Sequence, residues 1–330
     1  MRATWLRAFG LWLLGLGLAI SLVGCASPPR EATFTPLSSP TYADKPTVTL
    51  ALTRTEPPTL TLTPTLTPTH TPAPTPTNPV EPSPTGRARS QPAWWQPQPG
   101  LRWQWQLTGD LVLDLPVDVY DLDLFDVDAA VVDQLHRRGV RVICYISVGS
   151  YEDWRPDVDR FPPEVLGNAY EGWPGERWLD IRRIDALAPI MRARLDLCAA
   201  KGFDAVEPDN IMVYTEDTGF PITYEDNIRY ARWLAEEAHA RGLAIGLKNG
   251  AEMVPDLVDL YDFAITEEAF YYDFADAFIP FLKQGKAVFD AEYTDTDVDW
   301  AQACERSRAL GFSTILKNRD LDAWVRFCDE

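Results

Sequence analysis

From Trp103 onward, short runs of β-branched, aromatic and aliphatic residues alternate with longer stretches whose apolar positions recur at helical spacing. The first run is "WQWQL" (103–107). "VDVYDLDLF" (117–125) precedes the helical "DAAVVDQLHRRG", and "VRVICYISV" (140–148) is followed by a long loop bearing Trp and Pro and then by "IDALAPIMRARLDLCAAKG". The fourth run, "GFDAVEPDN" (202–210), leads through "YEDNIRYARWLAEEAHARG" to "LAIGLKN" (243–249). "MVPDLVDLY", "DFADAFIPFLKQGK" and "VDWAQACERSRALG" then introduce "FAITEEAF" (263–270), "AVFDAEYT" (287–294) and "FSTILKNRD" (312–320). Eight strands are predicted. Gly139, Gly202, Gly242 and Gly311 stand just before strands, where a chain leaving a helix turns through a left-handed conformation. Strands joined by helical crossovers pair in parallel, and eight such units in about 240 residues fit a single (β/α)8 TIM barrel. No Gly-x-Gly-x-x-Gly follows an early strand, which argues against an open dinucleotide-binding sheet.

The first 92 residues break this pattern. Arg2 and Arg7 precede the apolar run "LWLLGLGLAI", too short for a bilayer-spanning helix, and Leu22-Val23-Gly24-Cys25 resembles a bacterial lipobox. Residues 1–25 therefore read as a lipoprotein signal peptide with lipidation at Cys25, against an ordinary cleaved signal or an uncleaved anchor. Residues 26–92, centred on "TLTLTPTLTPTHTPAPTPTNP", carry almost no aromatic side chain and cannot bury enough surface to offset their ordering entropy. Their prolines favour an extended, semi-rigid linker, with His70 inside it. Residues 93–330 form the one expected domain, exported and held at the outer face of a bacterial membrane or secreted, with a monomer expected.

The net charge is −19, and residues 1–92 hold seven Arg or Lys against four Asp or Glu, so the domain carries −22. That argues against nucleic acid as a partner and fits a cationic one, general solubility being the plainer explanation. Besides Cys25 there are Cys144, Cys198, Cys304 and Cys328, an even number that permits two disulfides in an exported domain. Of three pairings, Cys304 with Cys328 and Cys144 with Cys198 is favoured.

A buried strand such as "GFDAVEPDN" rarely ends in two carboxylates, because each costs several kcal/mol on leaving water unless paired. In a barrel of this kind the strand C-termini form the active-site rim. Strand four ends in Glu207 and Asp209, strand five in Lys248 and Asn249, strand six in Glu267 and Glu268, strand seven in Asp290, Glu292 and Tyr293, and strand eight in Lys317. Strand three brings Tyr145, Ser147 and Gly149, and strand two Asp121 and Asp123. Each alone reads as a satisfied structural group; their convergence points to acid-base chemistry.

Glycoside hydrolysis needs two carboxyl groups astride the anomeric carbon, one giving a proton and the other attacking or activating water. Only His136 and His239 occur in the domain, both beside Arg in helices and read as solvated outer-face residues, which disfavours a zinc site or a Ser-His-Asp triad. No cofactor or metal is expected; Asp121, Asp123, Glu207 and Asp209 as Mg²⁺ or Ca²⁺ ligands are the weaker reading. Trp154, Trp173, Tyr151, Tyr214, Tyr271 and Tyr272 gather in rim loops, where flat rings stack on sugar faces, whereas Trp178 reads as packing a loop onto the barrel.

"WQWQLTG", "DVYDLDLFD", "VICYISVGSYEDWRPD", "WLDIR", "GFDAVEPDN", "GLKN", "ITEEAF", "AEYT" and "LKNRDLDAW" together resemble glycoside hydrolase family 114, the endo-α-1,4-polygalactosaminidases, over nearly the whole domain. The resemblance implies hydrolysis of a cationic, α-1,4-linked galactosamine polymer with retention. The family's strand-four Asp falls on Asp209 as nucleophile and its strand-six Glu on Glu267 as general acid/base, with Glu207 and Glu268 as rivals. It also implies Asp123, Tyr145, Ser147, Lys248, Asn249, Glu292 and Lys317 as subsite residues. Ala269 departs from the Cys that members often carry after the Glu-Glu pair, and Asp290 stands where an apolar residue is more usual. Other readings are a non-catalytic glycan-binding barrel, a glycosidase for another α-linked glycan, or an adhesion protein.

Overall fold

A computed structural model describes residues 93–329. The signal peptide, Cys25 and the linker lie outside the described residues. Eight parallel strands appear in the predicted places: β1 Trp103–Gln106, β2 Val119–Asp123, β3 Arg141–Ser147, β4 Ala205–Asp209, β5 Ala244–Lys248, β6 Phe263–Glu267, β7 Val288–Tyr293 and β8 Ser313–Lys317. They pair in sequence order, and an antiparallel ninth strand, β9 Val325–Phe327, follows β8. The seam between β1 and β8 is bridged by single contacts: the Trp103 ring N–H donates to Ser313 O at 2.8 Å and the Leu107 amide to Leu321 O at 2.9 Å. The result is a nearly closed TIM barrel.

Trp103, Phe263 and Phe289 pack ring against ring in the lower barrel, with centroids 5.1 Å apart for Trp103 and Phe289 and 5.9 Å for Phe263 and Phe289. This layer explains Gly246 on β5, where a Cβ would lie 2.4 Å from the Phe263 ring. Around the barrel run α1 Ala129–Arg137, α2 Ile184–Lys201, α3 Tyr224–His239, α4 Val254–Leu257, α5 Ile279–Lys283 and α6 Trp300–Leu310. Thr223 and Asp226 close a reciprocal cap on α3, so two of its orphan N-terminal amides are satisfied. Gly139, Gly202, Gly242 and Gly311 all have positive φ, as the helix-exit reading requires. Disulfides Cys144–Cys198, from β3 to α2, and Cys304–Cys328, from α6 to the end of β9, match the favoured pairing.

The alternation is less regular than expected. No helix joins β1 to β2, and α4 and α5 are one turn each. The loop after β3 holds an antiparallel side sheet of Ser150–Glu152, Glu176–Leu179 and Leu166–Ala169. His136 and His239 are not free outer-face residues: each lies 2.8 Å from a carboxylate, Asp204 before β4 and Asp262 before β6. Trp94 stacks on His239 at 3.8 Å and donates to Asp262, so the chain enters the domain at the N-terminal ends of the strands, opposite the mouth.

Candidate active site

The mouth is built by three consecutive strand tips. Asp209, Lys248 and Glu267 close β4, β5 and β6, and each is followed by a non-glycine residue in the left-handed region: Asn210 at φ 59°, Asn249 at φ 50° and Glu268 at φ 57°. Such a residue ends the strand abruptly, and three of them around one opening mark strain of the kind that gathers at functional sites. Parallel register sets Tyr145 opposite Glu207 and Ser147 opposite Asp209. The turn at Asn210 also requires Gly149, where a Cβ would lie 1.7 Å from Asn210 O.

One ammonium organises the cluster. Lys248 Nζ donates to Glu207 Oε1 at 2.8 Å and Asp209 Oδ1 at 2.9 Å, and lies 3.2 Å from Glu267 Oε2. From below, its charge rests over the Trp105 ring at 4.4 Å, a cation–π contact. Tyr145 donates its hydroxyl to the other Asp209 oxygen at 2.9 Å, and Tyr293 donates to the other Glu267 oxygen at 2.5 Å. Asn249 clamps Glu267 by accepting from its amide at 2.9 Å and donating to its carboxylate at 3.3 Å. The nearest Asp209 and Glu267 oxygens each lie within 3.2 Å of one nitrogen, so less than twice that distance separates them.

The electrostatics follow from burial and partners. Burial pushes Asp209 up, but the Lys248 ammonium, the Asn210 amide and the Tyr145 hydroxyl outweigh it and hold the carboxyl below its ordinary value. Burial acts against the charge on Lys248, yet Asp209, Glu207 and Glu267 together hold it well above the usual range, so it stays an ammonium. Burial and the nearby Asp209 charge keep the Tyr145 phenol protonated and donating. Glu207 sits deeper than Asp209, with a side chain 0% exposed against 19%, and burial lifts it to about 7 despite Lys248. Glu267 is the most open of the three at 28%. Two carboxylates thus face the mouth across a fixed cation, the arrangement that glycosidic cleavage uses.

The profile of the glycoside-hydrolase family GH114 matches residues 84–330. The chain belongs to glycoside-hydrolase family GH114. It is similar to Aspergillus fumigatus Ega3, solved in complex with galactosamine, with 38% identity and a TM-score of 0.67 over 73% of this chain and 100% of Ega3. The glycoside hydrolase domain of PelA from Pseudomonas aeruginosa shares the fold at 15% identity and a TM-score of 0.56, over 69% of this chain and 98% of that one. No curated protein sequence matches the chain.

In this GH114 glycoside hydrolase, Asp209, Glu267, Glu207, Lys248, Tyr145 and Asn249 form one cluster. The other expected subsite residues have different partners. Asp123 is bound by Arg155 at 2.7 and 2.8 Å, and Arg155 also binds Glu152, which fastens the side sheet to β2. Ser147, buried, shares its hydroxyl with Ser150 and Asn210 and so supports the turn behind Asp209. Glu268 turns away to Arg319 at 2.8 Å. Glu292, wholly buried and lifted by burial to about 7, accepts from the Phe270 and Tyr271 amides and anchors the loop after β6. Lys317 is wholly buried, lowered by burial to about 8, and latches Gln104 and the carbonyls of Asp322 and Trp324 across the seam. These five placements share a cause: a strand tip offers places both in the mouth and behind it.

The mouth also holds residues that strand patterning does not reveal. Tyr170 and Glu176, from the side sheet, both feel the Asp209 charge; Glu176, raised mainly by burial to about 7, accepts from Ser150 at 2.7 Å. Trp178 packs against Tyr170 at 4.1 Å, as a loop-fastening residue should, while Trp154, Trp173 and Tyr272 are exposed. Tyr151 and Tyr214 meet Phe161 and Tyr224 edge-on, and Tyr271 meets Tyr272 in the same way. Where Mg²⁺ or Ca²⁺ ligands were the weaker reading, Lys248 sits between Glu207 and Asp209, and Arg155 holds Asp123.

Proposed function

We propose that the chain is an endo-acting hydrolase of α-1,4-linked, galactosamine-containing polysaccharide that retains anomeric configuration, with Asp209 as nucleophile and Glu267 as general acid/base. The observation that carries this reading is the pair of carboxylates sharing the Lys248 ammonium. Asp209, kept ionised, attacks the anomeric carbon while Glu267 gives a proton to the glycosidic oxygen, so that the C–O bond breaks and a glycosyl ester forms. Water then gives a proton to Glu267 and attacks the same carbon, releasing Asp209. In the acid form of Glu267 the Tyr293 hydroxyl turns from donor to acceptor, which a phenol can do without moving.

The shared Lys248 ammonium draws one oxygen of Asp209 and one of Glu267 close together, as the short carboxyl spacing of a direct displacement needs, and this supports retention. The galactosamine bound in full-length-aligned Ega3 supports an amino-sugar substrate, as does the −22 charge of the domain. In the same reading Cys25 carries a lipid and residues 26–92 form a stalk that holds a monomeric barrel outside the cell. Mass spectrometry of the exported protein is expected to find an acylated Cys25 as its first residue; an unmodified N-terminus contradicts that part. The function itself is tested by proton NMR during hydrolysis of partly deacetylated α-1,4-galactosaminan. An α-anomer appearing first supports the mechanism, a β-anomer overturns retention, and binding without any product points to a glycan-binding barrel.

A further inference from the structure

Deeper than the working pair lies a second pair of carboxyl groups that the proposed reaction does not use. Asp121 on β2 and Glu207 on β4 are both 0% exposed and flank β3. Both Asp121 oxygens and Glu207 Oε2 meet no N–H or O–H donor among the described residues, while Glu207 Oε1 accepts from Lys248. The two carboxyl groups are close enough that each feels the other's charge. Two ionised carboxylates cannot occupy such a place together, since each would carry a desolvation cost of several kcal/mol with only one ammonium to offset it. One proton resolves the conflict: carried by Asp121 and aimed at Glu207, it makes a donor of one orphaned oxygen and satisfies another.

The groups facing this pair are Lys248 from β5, Asp209 from the same strand as Glu207, and the Tyr145 phenol from β3. We propose that Asp121 and Glu207 share one proton and act together as a positioning unit for Lys248, steadying the ammonium while leaving most of its charge to Asp209 and Glu267. With both ionised, the pair would pull the ammonium downward and weaken its hold on the nucleophile. With a donor missing at Asp121, Glu207 Oε2 is stranded and Glu207 itself reorients or takes up a proton. The directions agree: burial and the Glu207 charge hold Asp121 well above the ordinary carboxylate range. The kinetic consequence rests on the reading of Asp209 and Glu267 as the working pair; the location of the proton does not.

The test begins without substrate. Infrared difference spectra of the full chain at pH 8, parent minus Asp121→Asn, are expected to show a protonated-carboxyl C=O band lost in the variant, and Glu207→Gln is expected to shift that band. On partly deacetylated α-1,4-galactosaminan, Asp121→Asn is expected to turn over at least tenfold faster than Asp121→Leu at similar KM, because an amide N–H donates to Glu207 and a methyl cannot. An unchanged infrared spectrum in Asp121→Asn, or equal kcat and pH profile for the two Asp121 variants, overturns the proposal. Should Asp121→Leu fail to fold, the band shift in Glu207→Gln decides. A parent protein that shows the band but leaves the polymer intact supports the shared proton and counts against the hydrolase reading instead.

Discussion

Lys248→Met removes the cation on which the account turns while keeping an apolar side chain over Trp105. Glu207, Asp209 and Glu267 each lose a contact of 2.8 to 3.2 Å. Breaking a buried pair by deleting one partner costs about 3–5 kcal/mol, and losing a preorganised charge contact in an active site lowers kcat about 10²- to 10³-fold. The sign of the pH effect follows from Asp209. In the parent its value is depressed, so it contributes stability above the unfolded carboxyl value, lost as pH falls through the native one. Without Lys248 only the Asn210 amide and the Tyr145 hydroxyl are left to oppose the burial that pushes Asp209 up. Its native value then rises above the unfolded one, and the penalty is present at neutral pH and disappears in acid. The variant is therefore expected to have an acid limb of kcat/KM moved to higher pH and a Tm deficit that is largest near pH 8 and shrinks toward pH 5. Reducing-end release across pH and calorimetry on the same protein measure both. A variant within threefold of the parent at pH 7, with the same acid limb, would refute the reasoning.

Tyr293→Phe removes the 2.5 Å donor to Glu267; at about 1.5–3 kcal/mol for a hydrogen bond to a charged group, kcat is expected to fall roughly tenfold or more with little change in KM, and an unchanged kcat would contradict this. Gly149→Ala forces a Cβ against Asn210 O, so an overpacking cost of about 2–3 kcal/mol and a Tm lower by about 5 °C or more are expected in thermal unfolding. A cationic polymer approaching a −22 domain is steered by its field, so kcat/KM is expected to fall as ionic strength rises from 0.02 to about 0.2 M, and a flat profile would remove the electrostatic argument.

The barrel strands were legible because each is a short apolar run cut off by a polar tip. The tips were read by residue type, and facing and depth decide the rest. Glu207 and Asp209 stand two residues apart and so face the same way; only depth separates them, the deeper being sealed and the shallower open to the mouth. Glu267 and Glu268 are adjacent and face apart, as do Glu292 and Tyr293, and on β7 the phenol rather than the carboxylate reaches the mouth. The alternation of Phe289, Ala291 and Tyr293 against Asp290 and Glu292 carried that signal. Lys317 reaches the carbonyls of Asp322 and Trp324 in the turn before β9, a strand that could not be read because three residues of "VRF" show no period. The side sheet was hidden for the same reason: its strands are only three and four residues long, yet it brings Glu176, and Tyr170 just after Ala169, to the mouth.

The most direct test of the central claim incubates the full chain, and its Asp209→Asn and Glu267→Gln variants, with partly deacetylated α-1,4-galactosaminan and reads the products by mass spectrometry. A ladder of oligosaccharides from the parent, with both variants at least about 10³-fold slower while still folded, is the expected result. A ladder of equal yield from either variant would contradict the assignment of the working pair, and no ladder from the parent would contradict the hydrolase reading itself.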